Sequence, residues 1–529
     1  MGFWDKSLRI FKCLCENATQ SVRQLAQQTG LSKSSVHRLQ QAMERRNSHP
    51  ESWLWETADG RQWLRRLVVA TLSIFGLKRG VGIETMSEFF AHLHLEAQAG
   101  CSPSTLRSVM QALEAAILET ADAWEKDGCT RDEMREIIGA VDETFLERMM
   151  LVLMDLPTGY LLREEVAEDR TYTTWKGLVD ARLKALGAGI RYLVSDRAKA
   201  LIQLAEQGFE CLSMPDFFHV LHDLTKGYAL AIGQRLQQAH KQLEAAEHTL
   251  ARHRDHTTVT PASLQAQAAV EARRTAVRHW EEVRSTYRYH LDTLSLSLHP
   301  FTLSDSTPQT SEQVYTRLQA TIDAIDQLAQ EQQLPARHDT LKKVRNQLPA
   351  LVALVDFWWA GVEQDLEQAA SSAPWRAWAK ECLLPAVYWE HHVAHTRCAR
   401  RKATMRQACE AARAALHTHT LTLRLPAQAL EAWHTWATQQ VQAFQRASSA
   451  VEGRNGALAQ LHHNQRGLPK RRYKVWTIVH NFDCRAADGT TPASRFFGRA
   501  FPDLFETVFS RIEVLPRARQ RKTEIALCH

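Results

Sequence analysis

The chain has 529 residues, of which 44% are hydrophobic and 23% are charged, and its formal net charge at pH 7 is +6. This length predicts several domains with ample sequence for a buried core, and the mild positive charge permits a polyanionic partner without requiring one. No stretch reaches the roughly 18 uncharged apolar residues that a membrane span needs, so we expect no membrane partner. The ten cysteines form no CxxC pair, which argues against a thiolate zinc site and a disulfide framework and favours reduced thiols in a cytosolic protein.

Residues 22–39 predict a helix-turn-helix. A short helix from Val22 ends at Gly30, and Ser32 is a suitable N-cap for the next helix. The exposed side of that second helix carries residue types that contact DNA phosphates and base edges, namely Lys33, Ser34, Ser35, His37 and Arg38. The alternative is a plain three-helix packing unit without a DNA partner.

A second unit of this kind is possible near residues 89–107. Ser102 as N-cap and Pro103 at the first helical position favour a new helix there. A helical hairpin without DNA contact explains the pattern equally well. We therefore assign residues 1–130 to a helical DNA-binding region with one or two helix-turn-helix units.

In residues 131–216 the sequence pattern changes from mainly helical to strand-like. Three strand-like runs are followed by a helix, a strand, a second helix and a short strand, and this order predicts an RNase H-like α/β core with a mixed five-stranded sheet. The predicted strands cover residues 136–142, 148–155, 158–166, 190–195 and 210–213, and the predicted helices cover residues 171–187 and 197–207.

From residue 217 to residue 440 the chain predicts a large all-α insertion. Its first part, 234–296, has two polar helical patterns around a break and predicts an antiparallel hairpin that is a candidate dimer contact. Residues 297–312 are rich in Ser, Thr and Pro and predict a linker. Residues 441–529 predict the last part of the core with a basic C-terminal tail.

Three acidic residues fit a metal centre for phosphoryl transfer. Asp142 and Asp196 each follow an apolar strand-like run, and Glu452 lies on a helical pattern far downstream. Two divalent cations activate an attacking oxygen and stabilise a leaving oxygen in phosphodiester cleavage, and carboxylates are the ligands that hard cations prefer. The alternatives are that Asp196 only caps the following helix and that Glu452 is a solvated helix residue.

The segments around these acids resemble the three acidic blocks of DDE transposases. The segments are residues 141–145, 194–200 and 451–456, and residues 488–497 resemble a stretch that follows the third block in bacterial insertion-sequence transposases. The resemblance implies an RNase H-like domain that uses Mg²⁺ or Mn²⁺, with Asp142, Asp196 and Glu452 as catalytic metal ligands. The long helical insertion before the glutamate resembles the hAT-like layout.

The chain departs from one transposase subgroup that carries such insertions. That subgroup has Tyr, Arg, Glu and Lys at fixed spacing around the third acid. Here Arg446 lies six residues before Glu452, no Tyr stands at the expected place, and position 459 is Ala. The subgroup and its hairpin mechanism are therefore not supported.

Two further sets of residues are candidates for secondary roles. His219 and Asn455 are candidates to support the metal ligands through contacts near the metals, although His219 shares a helix face with Asp223 and a local pair is the simpler interpretation. A basic run could follow the DNA backbone, or it could be a solvated face; its members are Arg466, Lys470, Arg471 and Arg472.

The sequence thus predicts a transposase that binds terminal inverted repeats and then cuts and joins strands of double-stranded DNA. We expect a homodimer or higher multimer because two transposon ends must be joined together. The resemblance implies a bacterial, cytoplasmic and nucleoid-associated protein. Two alternatives remain: a domesticated transposase that binds DNA as a regulator without cleavage, and a structural helical protein with an accidental acidic triad.

Overall fold

The structure, a computed structural model, describes residues 2–129, 134–253, 260–335, 338–369, 372–464 and 469–518. The chain divides into two compact units, and each is described by itself. The first comprises Met1–Arg135, Asp142–Gly189 and Ala450–His529, and the second comprises Glu136–Val141 and Ile190–Ser449.

The first unit begins with helices. They are α1 (Phe3–Glu16), α2 (Val22–Thr29), α3 (Lys33–Arg46), a 3₁₀ helix (Pro50–Glu56), α4 (Ala58–Thr71) with a π-helical continuation (Leu72–Lys78), α5 (Ile83–His92) and α6 (Pro103–Gly128). The first three helices enclose a small core of Ile10, Leu25, Val36, Leu39 and Met43. The predicted N-cap at Ser102 and the proline at the start of α6 are confirmed.

A mixed five-stranded sheet follows, as the sequence predicts. Its strands are β1 (Arg135–Phe145), β2 (Met149–Asp155), β3 (Tyr160–Val166), β4 (Ala188–Ser195) and β5 (Leu212–Pro215), in the order β3-β2-β1-β4-β5. β2 and β3 are antiparallel, with Leu151 opposite Glu165, and β4 and β5 are parallel, with Tyr192 opposite Leu212. The central strands are apolar because both of their faces are covered.

Two helical connections link the later strands. α7 (Tyr172–Leu186) ends at Gly187, whose φ of 60° is the left-handed conformation that glycine adopts without a steric penalty. α8 (Lys199–Gln203) continues into a π-helical turn (Leu204–Gly208) before β5. The helix predicted from residue 197 therefore starts two residues later, and the last strand lies two residues further along the chain than predicted.

The second unit is mainly helical. Its helices are α9 (Phe217–His253), α10 (Pro261–Ser297), α11 (Ser311–Glu331), α12 (His338–Gln368), α13 (Ala373–Trp378) with a π-helical continuation (Ala379–Leu383), α14 (Leu384–His395), α15 (Ala399–Thr418), α16 (Thr420–Arg424) and α17 (Ala427–Gln442). The predicted hairpin corresponds to α9 and α10, which share a core of Leu236, Ala239 and Val277.

The predicted linker at residues 297–312 is wrong. His299 and Phe301 are fully buried, and Phe301 forms an isolated β-bridge with Pro308. The indole of Trp389 donates to Ser306 Oγ at 3.1 Å, and the amide of Gln309 donates to the carbonyl of His299 at 3.2 Å. A composition of Ser, Thr and Pro cannot distinguish a solvated linker from a turn whose polar groups are bonded inside a core.

The first unit ends with α18 (Ser449–Asn464, from Ala450 in this unit), α19 (Lys470–Asp483), α20 (Pro492–Phe497) and α21 (Leu504–Arg511). The Asn481 side chain on α19 donates to the carbonyl of Leu161 and accepts from its N–H, both at 2.9 Å. The amide thereby satisfies the backbone of the edge strand β3 as a further strand would. In the described part of the chain, no helix is long and apolar enough to cross a membrane.

Candidate metal centre and DNA-binding domain

The first unit brings Asp142 and Glu452 together. Asp142 follows the buried residues 137–141 on β1, and β1 continues to Phe145, so Asp142 lies within the strand and not at its end. Glu452 lies in the first turn of α18. The carboxylate oxygens of the two residues lie within 4.8 Å of each other, and both residues are half-buried. Two like charges at this separation repel unless a cation lies between them.

Arg454, two residues after Glu452, fixes α18 against the sheet. Arg454 forms a bidentate ion pair with Glu164 on β3, through its Nε at 2.7 Å and its Nη2 at 2.8 Å. The Glu164 side chain is fully buried and also accepts a hydrogen bond of 2.6 Å from the Thr477 hydroxyl. This planar, fully bonded pair sets the rotation of α18 about its axis and thereby the direction in which Glu452 extends.

Asn455 contacts one member of the acidic pair, Asp142, directly. Its Nδ2 donates to Asp142 Oδ2 at 2.8 Å, across 313 positions of sequence. Its Oδ1 is buried and has no hydrogen-bond partner within the described residues. A buried amide oxygen without a donor is unusual and beside two carboxylates is suited to a cation. The sequence predicted that Asn455 supports the metal ligands, and Asn455 contacts one of the predicted ligands, Asp142.

Asp196 lies in the second unit, directly after β4. It is exposed, and its Oδ1 accepts the N–H of Ala198 at 2.9 Å, a turn contact before α8, whose N-cap is Ala198 itself. The next residue, Arg197, has a φ of 60° and donates from Nη1 to the carbonyl of Ser213 at 3.1 Å. A non-glycine residue in this conformation persists where surrounding contacts determine it, and such residues concentrate at functional sites.

Asp216 is a residue that sequence reasoning missed. It is buried in the second unit, where its Oδ1 accepts the N–H of Ser448 at 3.0 Å and its Oδ2 accepts the Ser448 hydroxyl. His219 Nε2 lies 3.6 Å from Asp216 Oδ2, whereas Asp223 pairs with Lys343 at 2.8 Å. The predicted local pair of His219 and Asp223 is therefore wrong. An acid between a strand and a helix was the available signal for Asp216.

The basic run provides fewer surface cations than predicted. Arg472 is buried and pairs with Glu114 on α6, so a DNA contact by Arg472 is contradicted. Arg471 is half-buried and donates to the carbonyl of Gln111 at 3.2 Å. Lys470 is exposed, and Arg466 lies outside the described residues. Successive residues of a helix point in different directions, so a run of like charges in the sequence need not form one charged surface.

Arg446 has a structural role in the second unit. Its Nη1 donates to the carbonyls of Ser295 and Leu298 at 2.7 and 2.8 Å, and burial lowers the pKa of its guanidinium to about 10. Arg446 therefore satisfies the end of α10, where backbone carbonyls lack helical partners. The spacing between Arg446 and Glu452 does not by itself indicate a shared site.

The predicted helix-turn-helix is present. Gly30 ends α2 with a φ of 68°, and the Ser32 hydroxyl accepts the N–H of Ser35 at the start of α3. Ser35 is thus half-buried and engaged in capping. The remaining predicted DNA contacts on α3 are exposed: Lys33, Ser34, His37 and Arg38.

Two family models match parts of the chain. Residues 5–47 match the IclR helix-turn-helix domain, and residues 379–524 match a family of unknown function, DUF6399. The second match begins inside the predicted insertion and includes Glu452 and α18–α21. No curated protein matches the chain. The chain therefore has an N-terminal IclR-type helix-turn-helix DNA-binding domain and a C-terminal DUF6399 domain.

Proposed function

We propose that the protein is a metal-dependent DNA transposase of the DDE type. The observation that carries the proposal is the proximity of Asp142 and Glu452, whose carboxylate oxygens lie within 4.8 Å although the residues come from distant parts of the chain. A helix whose adjacent side chains bind both a buried sheet carboxylate and Asp142 supports a built site over an accidental pair of surface acids.

The donor set fits Mg²⁺ or Mn²⁺. It comprises two carboxylates and the unpartnered amide oxygen of Asn455, and oxygen donors suit these hard cations. Bound divalent cations would supply charge stabilisation to the attacking and leaving oxygens of a phosphodiester. In this proposal, Asn455 orients Asp142 through its 2.8 Å hydrogen bond, and the Arg454–Glu164 pair keeps Glu452 aligned.

Asp196 is the third carboxylate ligand in the proposal. Its support is the resemblance of its segment to the second acidic block. The strand order β3-β2-β1-β4-β5, with β3 antiparallel to β2 and β5 parallel to β4, agrees with an RNase H-like core. His219 keeps a supporting role in this proposal.

The helix-turn-helix domain would recognise the terminal repeats. Its exposed Lys33, His37 and Arg38 are suited to phosphates and base edges. Cutting and joining two ends requires at least two chains in one complex, so the proposal includes a homodimer or higher multimer. Water, and then the freed 3′-hydroxyl, would be the successive nucleophiles.

A second candidate is a regulator that binds DNA without cutting it. The match of residues 5–47 to a helix-turn-helix domain favours it, because that domain alone accounts for sequence-specific binding. The two candidates share their DNA site and differ only in strand cleavage.

The test is cleavage of a labelled duplex that carries the sequence flanking the gene, with Mg²⁺ or Mn²⁺. The wild-type chain is compared with Asp142→Asn, Asp196→Asn and Glu452→Gln. Glu168→Gln, an exposed acid outside the proposed site, is the matched control. We expect all chains to bind, and only the wild type and the control to cut.

Three outcomes would contradict the proposal in different ways. Binding by the wild type without cleavage in either metal would establish the regulator. Cleavage by Asp196→Asn at the wild-type rate would remove Asp196 from the site. Cleavage by all three variants would refute the assignment of the acids.

A further inference from the structure

A second cluster of ligand atoms lies in the first unit, next to the helix-turn-helix domain. His49, Glu51 and His94 each present one nitrogen or oxygen, and these three atoms lie within 4.8 Å of one another. His49 and Glu51 come shortly after α3, and His94 follows α5. None of the three has a role in the proposed transposase reaction.

The three side chains are in direct contact with one another. The imidazoles of His49 and His94 are stacked, with ring centroids 3.7 Å apart and an angle of 6° between their planes. His94 Nδ1 lies 2.9 Å from Glu51 Oε1, and this hydrogen bond is the main cause that lowers the pKa of Glu51. The cluster therefore combines an anionic carboxylate with two imidazoles at the protein surface.

A buried polar network fixes the two segments that carry the cluster. The Gln98 amide donates to the carbonyl of Arg46 at 3.1 Å and to Asn47 Oδ1 at 2.8 Å. Asn47 in turn donates to the fully buried Glu56 at 3.0 Å, and Arg46 pairs with the same carboxylate. Residues 46–56 and 94–98 are therefore held together independently of the surface side chains.

The backbone at His94 supports a positioned side chain. Its φ of 53° lies in the left-handed region, which a residue with a Cβ adopts rarely. Its N–H donates to the carbonyl of Ala91 at 2.9 Å, and the next N–H donates to the carbonyl of Phe90 at 3.0 Å. This turn directs His94 toward Glu51, where an ordinary helical continuation of α5 would not.

We propose that His49, Glu51 and His94 form a zinc site, with solvent as the fourth ligand. Two imidazole nitrogens and one carboxylate oxygen are a donor set that Zn²⁺ accepts in tetrahedral geometry. Ligand atoms around tetrahedral zinc are roughly 3.3 Å apart, and the stacked imidazoles would rotate out of parallel so that the lone pairs in their ring planes meet at the ion. Imidazoles disfavour Mg²⁺, which separates this site chemically from the Asp142–Glu452 pair.

The site would connect the helix-turn-helix domain to the rest of the N-terminal region. His49 lies three residues after the end of α3, the helix that carries the exposed DNA-contact residues. An ion that binds His49 and His94 joins that end of α3 to the turn after α5. Zinc would thereby stabilise the orientation of α3 relative to α5.

The experiment measures zinc binding to the metal-free full-length chain by competition with a chromophoric chelator. His49→Ala, Glu51→Gln and His94→Ala are compared with His92→Ala, an exposed histidine of α5 outside the cluster. The chain also has ten cysteines, so the comparison counts equivalents relative to the wild type. We expect the two histidine variants to bind one fewer equivalent, Glu51→Gln to bind that equivalent more weakly, and His92→Ala to match the wild type.

Thermal unfolding provides the second measurement. One equivalent of Zn²⁺ should raise the midpoint of the wild type and of His92→Ala, and it should leave His94→Ala unchanged. Equal midpoints of all chains without metal would show that the variants fold. Wild-type stoichiometry in both His49→Ala and His94→Ala would overturn the proposal. If His94→Ala does not fold, His94→Gln replaces it, with the same expectations.

Discussion

Helix α18 contacts two carboxylates of the sheet through adjacent residues, and the two carboxylates receive different hydrogen-bond donors. Arg454 neutralises Glu164 on β3 with two charge-assisted hydrogen bonds, whereas Asn455 gives Asp142 on β1 one neutral amide donor. The Glu164 side chain is fully buried, and Asp142 is half-buried with Glu452 close by.

The different partners of Glu164 and Asp142 indicate which of the two carboxylates is structural. A buried acid with a bonded arginine is already neutralised, so a cation gains little there. Asp142 faces a second acid, and the hydrogen bond that it accepts from α18 comes from a neutral amide that does not cancel its charge. Arg454 thus marks Glu164 as a structural carboxylate, and Asn455, the next residue, marks Asp142 as a candidate metal ligand.

The largest effect should come from Arg454→Ala. This change leaves the Glu164 charge buried without its partner, which costs about 3–5 kcal/mol of unfolding free energy. Denaturant unfolding of the first unit, followed by tryptophan fluorescence, measures the loss. Arg485→Ala, which removes an exposed arginine, is the control and should change stability by less than about 0.5 kcal/mol. Equal midpoints for both variants would show that the pair does not hold α18.

The next effect concerns His480, which donates to the carbonyl of Gly159 at 2.9 Å. Burial, followed by the charge of Arg454, lowers the pKa of His480 to about 4. The unfolded chain therefore binds more protons than the folded chain, and stability falls as the pH decreases from about 6.5 to about 4. His480→Gln should weaken this pH dependence by at most about 3 kcal/mol, measured as unfolding free energy at pH 7 and pH 4.5. Parallel pH profiles would contradict a neutral, buried His480.

Asn455→Ala should have an intermediate effect. The change removes the amide that orients Asp142 in the proposed site, so we expect about 10- to 100-fold slower strand cleavage. Stability should fall by about 1–2 kcal/mol, because one hydrogen bond to a charged group is lost. Single-turnover cleavage measures the first quantity and thermal unfolding the second. A loss of stability without slower cleavage would make Asn455 a purely structural residue.

The smallest effect is that of Asp142→Asn on the metal-free protein. Removing one of two neighbouring negative charges should leave stability unchanged or raise it by about 1 kcal/mol. The stabilisation that Mn²⁺ gives to the wild type should disappear in this variant. Thermal unfolding with EDTA and with Mn²⁺ tests both parts. A large loss of stability in EDTA would place Asp142 with the structural carboxylates.

Local signals in the sequence predicted much of the fold. Ser32, Gly30 and Ser102 mark helix ends through hydrogen bonds within a few residues, so the helix-turn-helix and the start of α6 are confirmed. The apolar runs likewise predicted five strands, with ends that shifted by a few residues because strand ends depend on neighbouring strands.

Partners distant in sequence were not predictable in the same way. Nothing near Arg472 indicates that its charge is bound by Glu114, and nothing near Glu164 indicates Arg454. Asp216 and Ser448 pair across 232 positions. Such contacts depend on how helices are rotated against the sheet, which a single sequence does not encode locally.

The separation of Asp142 and Asn455 by 313 positions also sets an order of events during synthesis. At about 5–20 residues per second, a ribosome needs roughly 15–60 s to advance from one residue to the other. The helix-turn-helix domain, complete by residue 47, emerges long before α18 can reach β1. A nascent or prematurely ended chain would therefore have its DNA-binding domain before its acidic pair is assembled, and under the proposed function it would bind DNA without cleaving it.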